Sequence, residues 1–262
     1  KKALTEANGD FVQAEKILKE MGLAAVAKRQ DRATENGRVF VKTGNGKAVI
    51  LSLSCETDFV AQNKDFAKLG DDLCTVILEK GYTEINAELE EMVNALIAII
   101  KENMHLVKFD VYDIGANDYA STYIHGEGAV AVLVMLNSDK PEIFKEADVE
   151  DFAHNLALHA AAYKPQFLDD KAVSKEYEEE QLDIFRKQVE GDEKLASKPE
   201  KVREGIVRGK LSKLYKEVCF LDQAYVKDDT KSVSQMLQET GKAHGATLKI
   251  TAYAVYQAGV SA

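Results

Sequence analysis

The sequence predicts an α+β fold made of a small N-terminal helical module, two similar core subdomains and an inserted helical hairpin. Three observations lead to this prediction. Apolar residues alternate in several short segments, as is typical of strands, and recur at three-and-four spacing in others, as is typical of helices. The order hairpin, helix, helix, strand also occurs twice. We therefore expect a duplicated unit, each copy with a small antiparallel sheet packed on helices.

Residues 1–30 are predicted to form the helical module, which is incomplete at its start. Gly9 ends a first helix, and Asp10 is placed to cap a second helix that Gly22 ends, with residues 23–29 as a last helix. A unit of this size is too small to fold well alone, so we expect a preceding helix or a partner to hold it. The second helix has its apolar positions at Phe11, Ala14, Leu18 and Met21.

A polar linker at residues 31–37 leads to the first core subdomain, residues 38–115. Two apolar segments flank Thr43-Gly44-Asn45-Gly46, which is a strong signal for a β-hairpin. Two amphipathic helices follow, and then a closing strand at residues 106–114. The predicted helices have their apolar stripes at Phe66, Leu69, Leu73 and Val76, and at Ile85, Leu89, Met92, Leu96 and Ile99.

The second core subdomain comprises residues 116–170 and 219–262. Its opening repeats that of the first, because apolar strands again flank a glycine-rich turn, Gly126-Glu127-Gly128. The predicted elements are strands at 119–125 and 130–136, a helix from about residue 148 that Pro165 stops, a helix at 232–242 and a closing strand at 247–256.

Residues 171–218 depart from this pattern, since they are highly charged and their apolar positions are heptad-like. This predicts an antiparallel coiled-coil hairpin inserted in the second subdomain. Ser197 and Glu200 have the spacing of a capping box at the start of the second arm. The apolar positions are Tyr177, Phe185 and Val189 in one arm, and Val207, Leu211, Leu214 and Val218 in the other.

The composition argues against several classes of function. The chain has 34 Lys and Arg against 44 Asp and Glu, a formal net charge of −10, whereas nucleic-acid binding needs clustered basic residues. Cys55, Cys74 and Cys219 lack disulfide or metal-ligand spacing, which favours a reducing, cytoplasmic setting with no metal and no cofactor. Neither glycine-rich turn has phosphate-loop spacing, so we expect no direct nucleotide binding. No apolar run is long enough to cross a membrane.

An enzyme would have to use Cys55 as its nucleophile, with His125 or His159 as the base. Other roles are favoured, because Cys55 ends a buried strand and His159 lies on the apolar stripe of its helix. His125 comes just before a hairpin turn, so its ring is expected to reach solvent, as a turn residue or as a contact at the edge of an interface. With no convergent acid, base and nucleophile, we do not expect an enzyme.

Residues 55–63 connect a buried strand to a helix, and such connections lie at the surface. Two interpretations stay open. In the first, Thr57 or Asp58 caps the following helix, and Phe59 packs back on the core as a hydrophobic staple. In the second, a rigid turn presents Asp58 and Phe59 to another molecule.

The segment Cys55-Glu-Thr-Asp-Phe-Val-Ala-Gln-Asn63 resembles the signature of the translation elongation factor Ts family. Similar segments follow the family order over essentially the whole chain. Two departures are a missing first helix that carries methionines and Gln62, where many members have arginine. The other similar segments are Lys1-Lys-Ala-Leu-Thr-Glu-Ala-Asn-Gly-Asp10 with Gly22-Leu-Ala-Ala, Tyr123-Ile-His-Gly126, Leu158-His-Ala-Ala161 with Pro165, and Gly209-Lys-Leu-Ser-Lys-Leu-Tyr-Lys-Glu-Val-Cys219.

The resemblance implies a guanine-nucleotide exchange factor that binds elongation factor Tu and promotes GDP release in translation elongation. Asp58 and Phe59 would enter the G domain of the partner and displace the elements that hold magnesium and phosphate. Thr57 and Val60 would shape the turn, and His125 would extend the contact from the second subdomain.

The resemblance also implies wider contacts. Residues 1–30 would touch the G domain of elongation factor Tu, and the second subdomain would bind its far domain. The alternative function is a coiled-coil interaction scaffold without exchange activity, and self-association through residues 171–218 stays open.

Overall fold

The computed structural model describes residues 2–27, 29 and 31–259. Lys1, Lys28 and Gln30, which fall within the predicted N-terminal module, lie outside the described residues. The chain divides into two compact units, one of residues 1–115, 122–133 and 254–262 and the other of residues 116–121 and 134–253.

Helices and small sheets are mixed throughout the described chain, which confirms the α+β prediction. The first half begins with two helices and then builds a sheet with helices inserted between its second and third strands. Its elements are α1 (Lys2–Glu6), α2 (Phe11–Ala27), β1 (Asn36–Gly44), β2 (Lys47–Cys55), α3 (Asp58–Ala61), α4 (Lys64–Lys80), α5 (Ala87–Ile100) and β3 (Met104–Asp113).

The second half again opens with two strands and closes with one, and most of its helices lie between them. Short 3-10 helices occupy Pro141–Lys145 and Asp170–Ala172. The other elements are β4 (Asp118–His125), β5 (Val130–Ser138), α6 (Ala147–Tyr163), α7 (Lys175–Gly191), α8 (Glu193–Ala196), α9 (Glu200–Val218), β6 (Ala224–Tyr225), β7 (Asp228–Ser232), α10 (Val233–Ala243) and β8 (Leu248–Gln257).

The sequence predicted the start of helix α2 correctly but placed its end too early. The Asp10 carboxylate accepts the backbone N–H groups of Val12 and Gln13 at 2.9 and 3.1 Å, so the predicted cap is confirmed. The predicted end at Gly22 is wrong, because α2 continues to Ala27. A glycine inside a helix costs only about 1 kcal/mol relative to alanine. Burial of Val26, one turn further on, offsets that cost.

The first sheet has the order β1-β2-β3, with β2 in the centre and antiparallel to both neighbours. The predicted hairpin is confirmed by the pairing of Gly44 with Lys47. Asn45 and Gly46 between them both have positive φ, 50° and 69°, as a tight two-residue hairpin turn requires. The end of β2 at Cys55 therefore has a fixed position in the middle of the sheet.

Helices α4 and α5 contact this sheet and bury one face each. The stripe predicted for α5 is partly wrong. Ile85 precedes the helix, and Ile99 is 72% exposed. The buried positions of α5 instead are Leu89, Val93, Leu96 and Ile97. Apolar residues occupy more than one side of the helix around Leu96, so the sequence does not determine which side is buried. Packing buries the side that includes Val93 and Ile97.

The second three-stranded sheet has the order β4-β5-β8. As in the first sheet, the second strand of the opening hairpin is central and the closing strand is its other neighbour. The matching strand order is what a duplicated unit would give, and duplication stays a prediction. Helix α6 ends at Tyr163, with Lys164 in the left-handed conformation just before Pro165, as expected. Helix α10 starts with a capping box formed by Ser232 and Gln235.

Helices α7 and α9, here called the inserted helical pair, contact each other along their length. Arg186 on α7 donates to Glu204 on α9 at 3.1 Å, and Lys210 on α9 donates to Gln188 at 3.2 Å. These contacts join two arms as expected, and the coiled-coil assignment stays a prediction. The predicted capping box is wrong: Pro199 is the N-cap of α9, and no side-chain hydrogen bond caps it.

Within the described residues, no helix combines the length and the apolar character needed to cross a bilayer. The same part of the chain brings together no group of three His, Cys, Asp or Glu side chains that could hold a metal ion.

Candidate functional site

The turn from Thr57 to Val60, here called the 57–60 turn, leaves the central strand β2 and enters the one-turn helix α3. Thr57 has extended backbone angles, φ −125° and ψ 154°, and its hydroxyl accepts the N–H of Val60 at 3.3 Å. This is an N-cap, so Thr57 rather than Asp58 is the capping residue. Asn63 caps α4 directly afterwards, accepting the N–H of Asp65 at 2.7 Å. Two caps within seven residues fix the backbone of the turn.

The tip of the turn points away from the protein. Phe59 is 82% exposed and Asp58 is exposed, whereas Val60 and Ala61 are buried. The staple interpretation of Phe59 is therefore wrong. In a single helical turn, consecutive pairs of residues face opposite sides, and the inward positions are already taken by Val60 and Ala61. An aromatic ring and a carboxylate consequently stand side by side in solvent on a capped turn.

The base of the turn is bound to the loop that follows α5. The Thr57 hydroxyl donates to the Glu102 carboxylate, whose oxygens lie 3.0 and 3.1 Å away. Glu56 accepts the backbone N–H of Asn103 at 2.6 Å and the guanidinium of Arg32 at 3.3 Å. Sequence reasoning missed these residues, since Thr57 and Glu102 are 45 positions apart and no local pattern links them.

His125 lies on a different hairpin of the same compact unit. It is the last residue of β4, its side chain is exposed as expected, and its Nδ1 is 3.0 Å from the Tyr123 hydroxyl. The neighbouring Ile124 is also exposed. Gly128, at the end of the turn, accepts the N–H of Val39 at 2.9 Å, which joins this hairpin to β1. The structure thus gathers Thr57, Asp58, Phe59 and Val60 on one turn and puts His125 on another.

Cys55 has the properties of a core residue. It is fully buried, and its Sγ is 3.1 Å from the carbonyl oxygen of Thr57. Burial, followed by the nearby Glu102 carboxylate, raises the pKa of the Cys55 thiol to about 12. The thiol is therefore protonated at neutral pH, which argues against the alternative of a nucleophilic cysteine, because the thiolate is the reactive form.

His159 is a packing residue, as expected. Its buried ring is 2.9 Å from the Gln223 side chain through Nε2, and Nδ1 accepts the N–H of Val226 at 3.2 Å. It also stacks on Tyr163 and Phe220, with centroids 4.6 and 5.4 Å apart. Burial lowers the pKa of His159, so the ring is neutral and holds the chain returning from the inserted helical pair.

The similarity to known proteins extends over nearly the whole chain. Residues 56–260 match the family model described as elongation factor TS. The chain belongs to the elongation factor Ts family. A protein of Treponema denticola named elongation factor Ts is 44% identical over 260 residues, covering 99% of this chain and 91% of its own. Proteins of the same name from Treponema pallidum strain Nichols and Borreliella burgdorferi strain ZS7 are 40% and 39% identical, each covering 99% of this chain and 92% of their own.

The resemblance found in the sequence is thereby confirmed. Membership of the elongation factor Ts family implies a nucleotide-exchange role in translation elongation, without covalent chemistry. The signature segment of the family in this chain contains the 57–60 turn, and that turn exposes an aromatic side chain on an anchored backbone.

Proposed function

We propose that this chain binds elongation factor Tu and promotes GDP release, and that the 57–60 turn enters the partner and displaces the elements that hold magnesium and phosphate. The observation that carries the proposal is the 82% exposure of Phe59 on a turn whose backbone is fixed at both ends. A ring on a turn that is already rigid can be buried in a partner with little ordering cost, and its burial is favourable.

Asp58 and Phe59 have different roles in this proposal. The ring supplies apolar area that becomes buried in the partner, which stabilises the inserted state by about 1.5–3 kcal/mol. The carboxylate of Asp58 places a negative charge where the partner holds phosphates and a cation, and so competes for the same positive groups. Thr57 and Val60 shape the turn, one as its cap and the other as its buried anchor.

The turn is too small to do this alone. Moving a two-state switch from about 1:99 to 99:1 takes about 5.5 kcal/mol of differential binding, which exceeds the contribution of one aromatic ring. We therefore propose a wide interface, above roughly 1,000 Å² in total area. His125 and the exposed Ile124 beside it would extend the contact, and the second subdomain would bind the far domain of elongation factor Tu.

The N-terminal module supports the same proposal. Phe11 and Val12 at the start of α2 are 78% and 79% exposed, and Leu18 is also exposed. Apolar side chains grouped on so small a unit favour docking on another protein, which we propose to be the G domain of elongation factor Tu. The chain would act in the cytoplasm, with no cofactor and no nucleotide of its own, no nucleic acid and no membrane as partners.

The proposal is tested by following fluorescent GDP as it leaves elongation factor Tu in a stopped-flow experiment. Catalytic amounts of the intact chain should accelerate release. Asp58→Ala and Phe59→Ala should each slow release much more than they weaken binding to nucleotide-free partner, because they act when the turn is inserted. Ile184→Ala, which removes an exposed apolar side chain from the inserted helical pair, is the matched control and should not change the rate.

No acceleration by the intact chain would overturn the exchange function. Acceleration that neither substitution reduces would overturn the role of the 57–60 turn and leave the exchange function standing.

A scaffold function has one observation in its favour. The inserted helical pair exposes Ile184 on α7 and Val202 on α9, so it offers apolar surface of its own for self-association or for another protein. In that case shortening the pair would abolish function altogether, whereas an exchange factor would keep much of its activity.

A further inference from the structure

The 57–60 turn is held at its base by two segments that bind each other reciprocally. Glu56 and Thr57 follow the end of β2, and Glu102 and Asn103 follow α5. The Glu56 carboxylate accepts the Asn103 N–H at 2.6 Å, and the Thr57 hydroxyl donates to the Glu102 carboxylate at 3.0 and 3.1 Å. Each segment therefore contributes one carboxylate and one donor.

The Glu102 contact determines which way the cap hydroxyl points. A threonine hydroxyl has a single proton to donate, and here it goes to Glu102. The oxygen is then left with its lone pairs towards α3, where it accepts the N–H of Val60. Hydrogen bonds to an ionised carboxylate are roughly twice as strong as those between neutral groups, so this orientation is well held.

Arg32 completes the arrangement from the linker that precedes β1. Its guanidinium lies 3.3 Å from the Glu56 carboxylate, and its backbone carbonyl accepts the Asn103 side-chain amide at 2.8 Å. The positive charge offsets the repulsion between the acidic groups at the base of the turn. The linker is thus fixed at the same point as the turn.

We propose that Glu56 and Glu102, here called the carboxylate clasp, are positioning residues that aim Asp58 and Phe59 for nucleotide release. This inference rests on the proposed exchange function. Phe59 makes little contact with its own unit, so the direction of its ring depends on how the base of the turn is held. Affinity comes from the wide interface, so the clasp governs the maximal rate of GDP release rather than the concentration of chain needed to reach half of it.

The kinetic test compares Glu102→Ala with Glu102→Gln. The alanine variant should lower the maximal rate of GDP release about tenfold, the factor that corresponds to about 1.4 kcal/mol from one charge-assisted hydrogen bond. Its half-saturating concentration should stay within about twofold. The glutamine variant retains an oxygen that accepts the Thr57 proton, so it should recover most of the rate. Glu56→Ala should behave like Glu102→Ala.

The matched control is Glu88→Ala. Glu88 is also a carboxylate at one end of α5 and accepts the Tyr82 hydroxyl at 2.5 Å, and it lies at the opposite end from the clasp. This variant should exchange nucleotide at the normal rate. Equal loss in the alanine and glutamine variants of Glu102, or a rise in half-saturating concentration with an unchanged maximal rate, would overturn the positioning role.

A second measurement separates this inference from the exchange function. Hydrogen exchange of the Val60 amide in the free chain should become about tenfold faster in Glu102→Ala and remain near normal in Glu102→Gln and Glu88→Ala. An unchanged Val60 amide in Glu102→Ala would contradict the clasp even if GDP release is catalysed. A faster amide together with an intact chain that releases no GDP would instead contradict the proposed function and leave the clasp as an anchor of the turn.

Discussion

Phe59 and Phe66 are the same side chain seven positions apart, and the fold treats them in opposite ways. Phe66, on α4, is fully buried in the core of the first unit, whereas Phe59 is almost entirely exposed. Hydropathy does not distinguish them. The two caps at Thr57 and Asn63 set where each helix starts, and packing against the core then selects the side that is buried, which leaves Phe59 outside and Phe66 inside.

This pair gives a direct stability prediction. Phe59→Ala should change the free energy of unfolding by no more than about 0.5 kcal/mol, because an exposed ring loses little packing. Phe66→Ala should cost about 3–5 kcal/mol, because it leaves a cavity. Urea unfolding followed by circular dichroism measures both. A cost above about 2 kcal/mol for Phe59→Ala would mean that the ring packs on its own unit in solution.

His159 should make stability depend on pH. Its pKa in the folded chain is lowered by burial, whereas the unfolded chain has the ordinary value near 6.5. Below that value the unfolded state binds a proton that the folded state excludes, so stability is full at higher pH and falls on acidification. The loss is at most about 1.4 kcal/mol per pH unit.

The measurement is urea unfolding at pH 7.5 and 5.5, both compared with His159→Gln. Glutamine does not titrate, and its amide can still donate to Gln223, so the variant should lose less stability between the two pH values than the parent. Subtracting the two chains removes the contributions of other groups, such as Asp148, whose pKa the hydrogen bond from His244 lowers. Parallel pH profiles would show that His159 is not the titrating group.

Among the helices, α4 and α9 contain glycines in very different surroundings. Gly70 on α4 faces β1 so closely that a methyl group there would overlap the ring of Phe40. Gly209 on α9 has open space around the position of a methyl group. Glycine at position 70 thus permits a helix to approach a sheet, while glycine at position 209 has no packing reason in the described structure.

Replacing each glycine by alanine should therefore have opposite effects. Gly209→Ala should stabilise the chain by about 0.5–1 kcal/mol through helix propensity. Gly70→Ala should destabilise it by about 1–3 kcal/mol, because Phe40 and the helix must move apart. Thermal unfolding measures both midpoints. A higher midpoint for Gly70→Ala would show that α4 does not rest on β1 as closely as described.

At the level of the complete chain, the two ends of the inserted helical pair meet at one point of the second unit. Phe167 and Cys219 form a parallel bridge, and the N–H of Phe220 donates to the Phe167 carbonyl at 2.8 Å. A small apolar cluster covers this base, consisting of Val173, Val218 and Cys219 with Phe167, Tyr177, Leu214 and Tyr215 packed against it. The segments at Phe167 and Cys219 are therefore held together at the base of the pair, and the tip of the pair is not needed to join them.

Shortening the pair above this cluster should leave the remaining chain folded. Replacing residues 181–211 with a short Gly-Ser linker keeps Tyr177 and Leu214, so the base cluster stays intact. Circular dichroism should show a loss of helix, together with one cooperative thermal transition close to that of the parent. Loss of cooperativity would mean that the pair is required to fold the second unit. A shortened chain that folds and releases GDP would favour exchange over scaffolding.

Local signals in the sequence determined much of this protein. Alternation and turn chemistry identified the hairpin around Asn45 and Gly46, and the cap at Asp10 and the helix stop before Pro165 were readable for the same reason. Each depends on residues within a few positions of one another, where backbone sterics and short-range hydrogen bonds dominate. The family signature at residues 55–63 was also readable without a structure.

Tertiary packing decided the rest. It continued α2 past Gly22, selected the buried face of α5, and turned Phe59 outward while Thr57 became the cap. It also brought Glu102 to Thr57 across 45 positions of sequence. A sequence pattern records periodicity along one element, whereas these outcomes depend on which neighbouring surface fills a given side of the core, and that surface comes from distant parts of the chain.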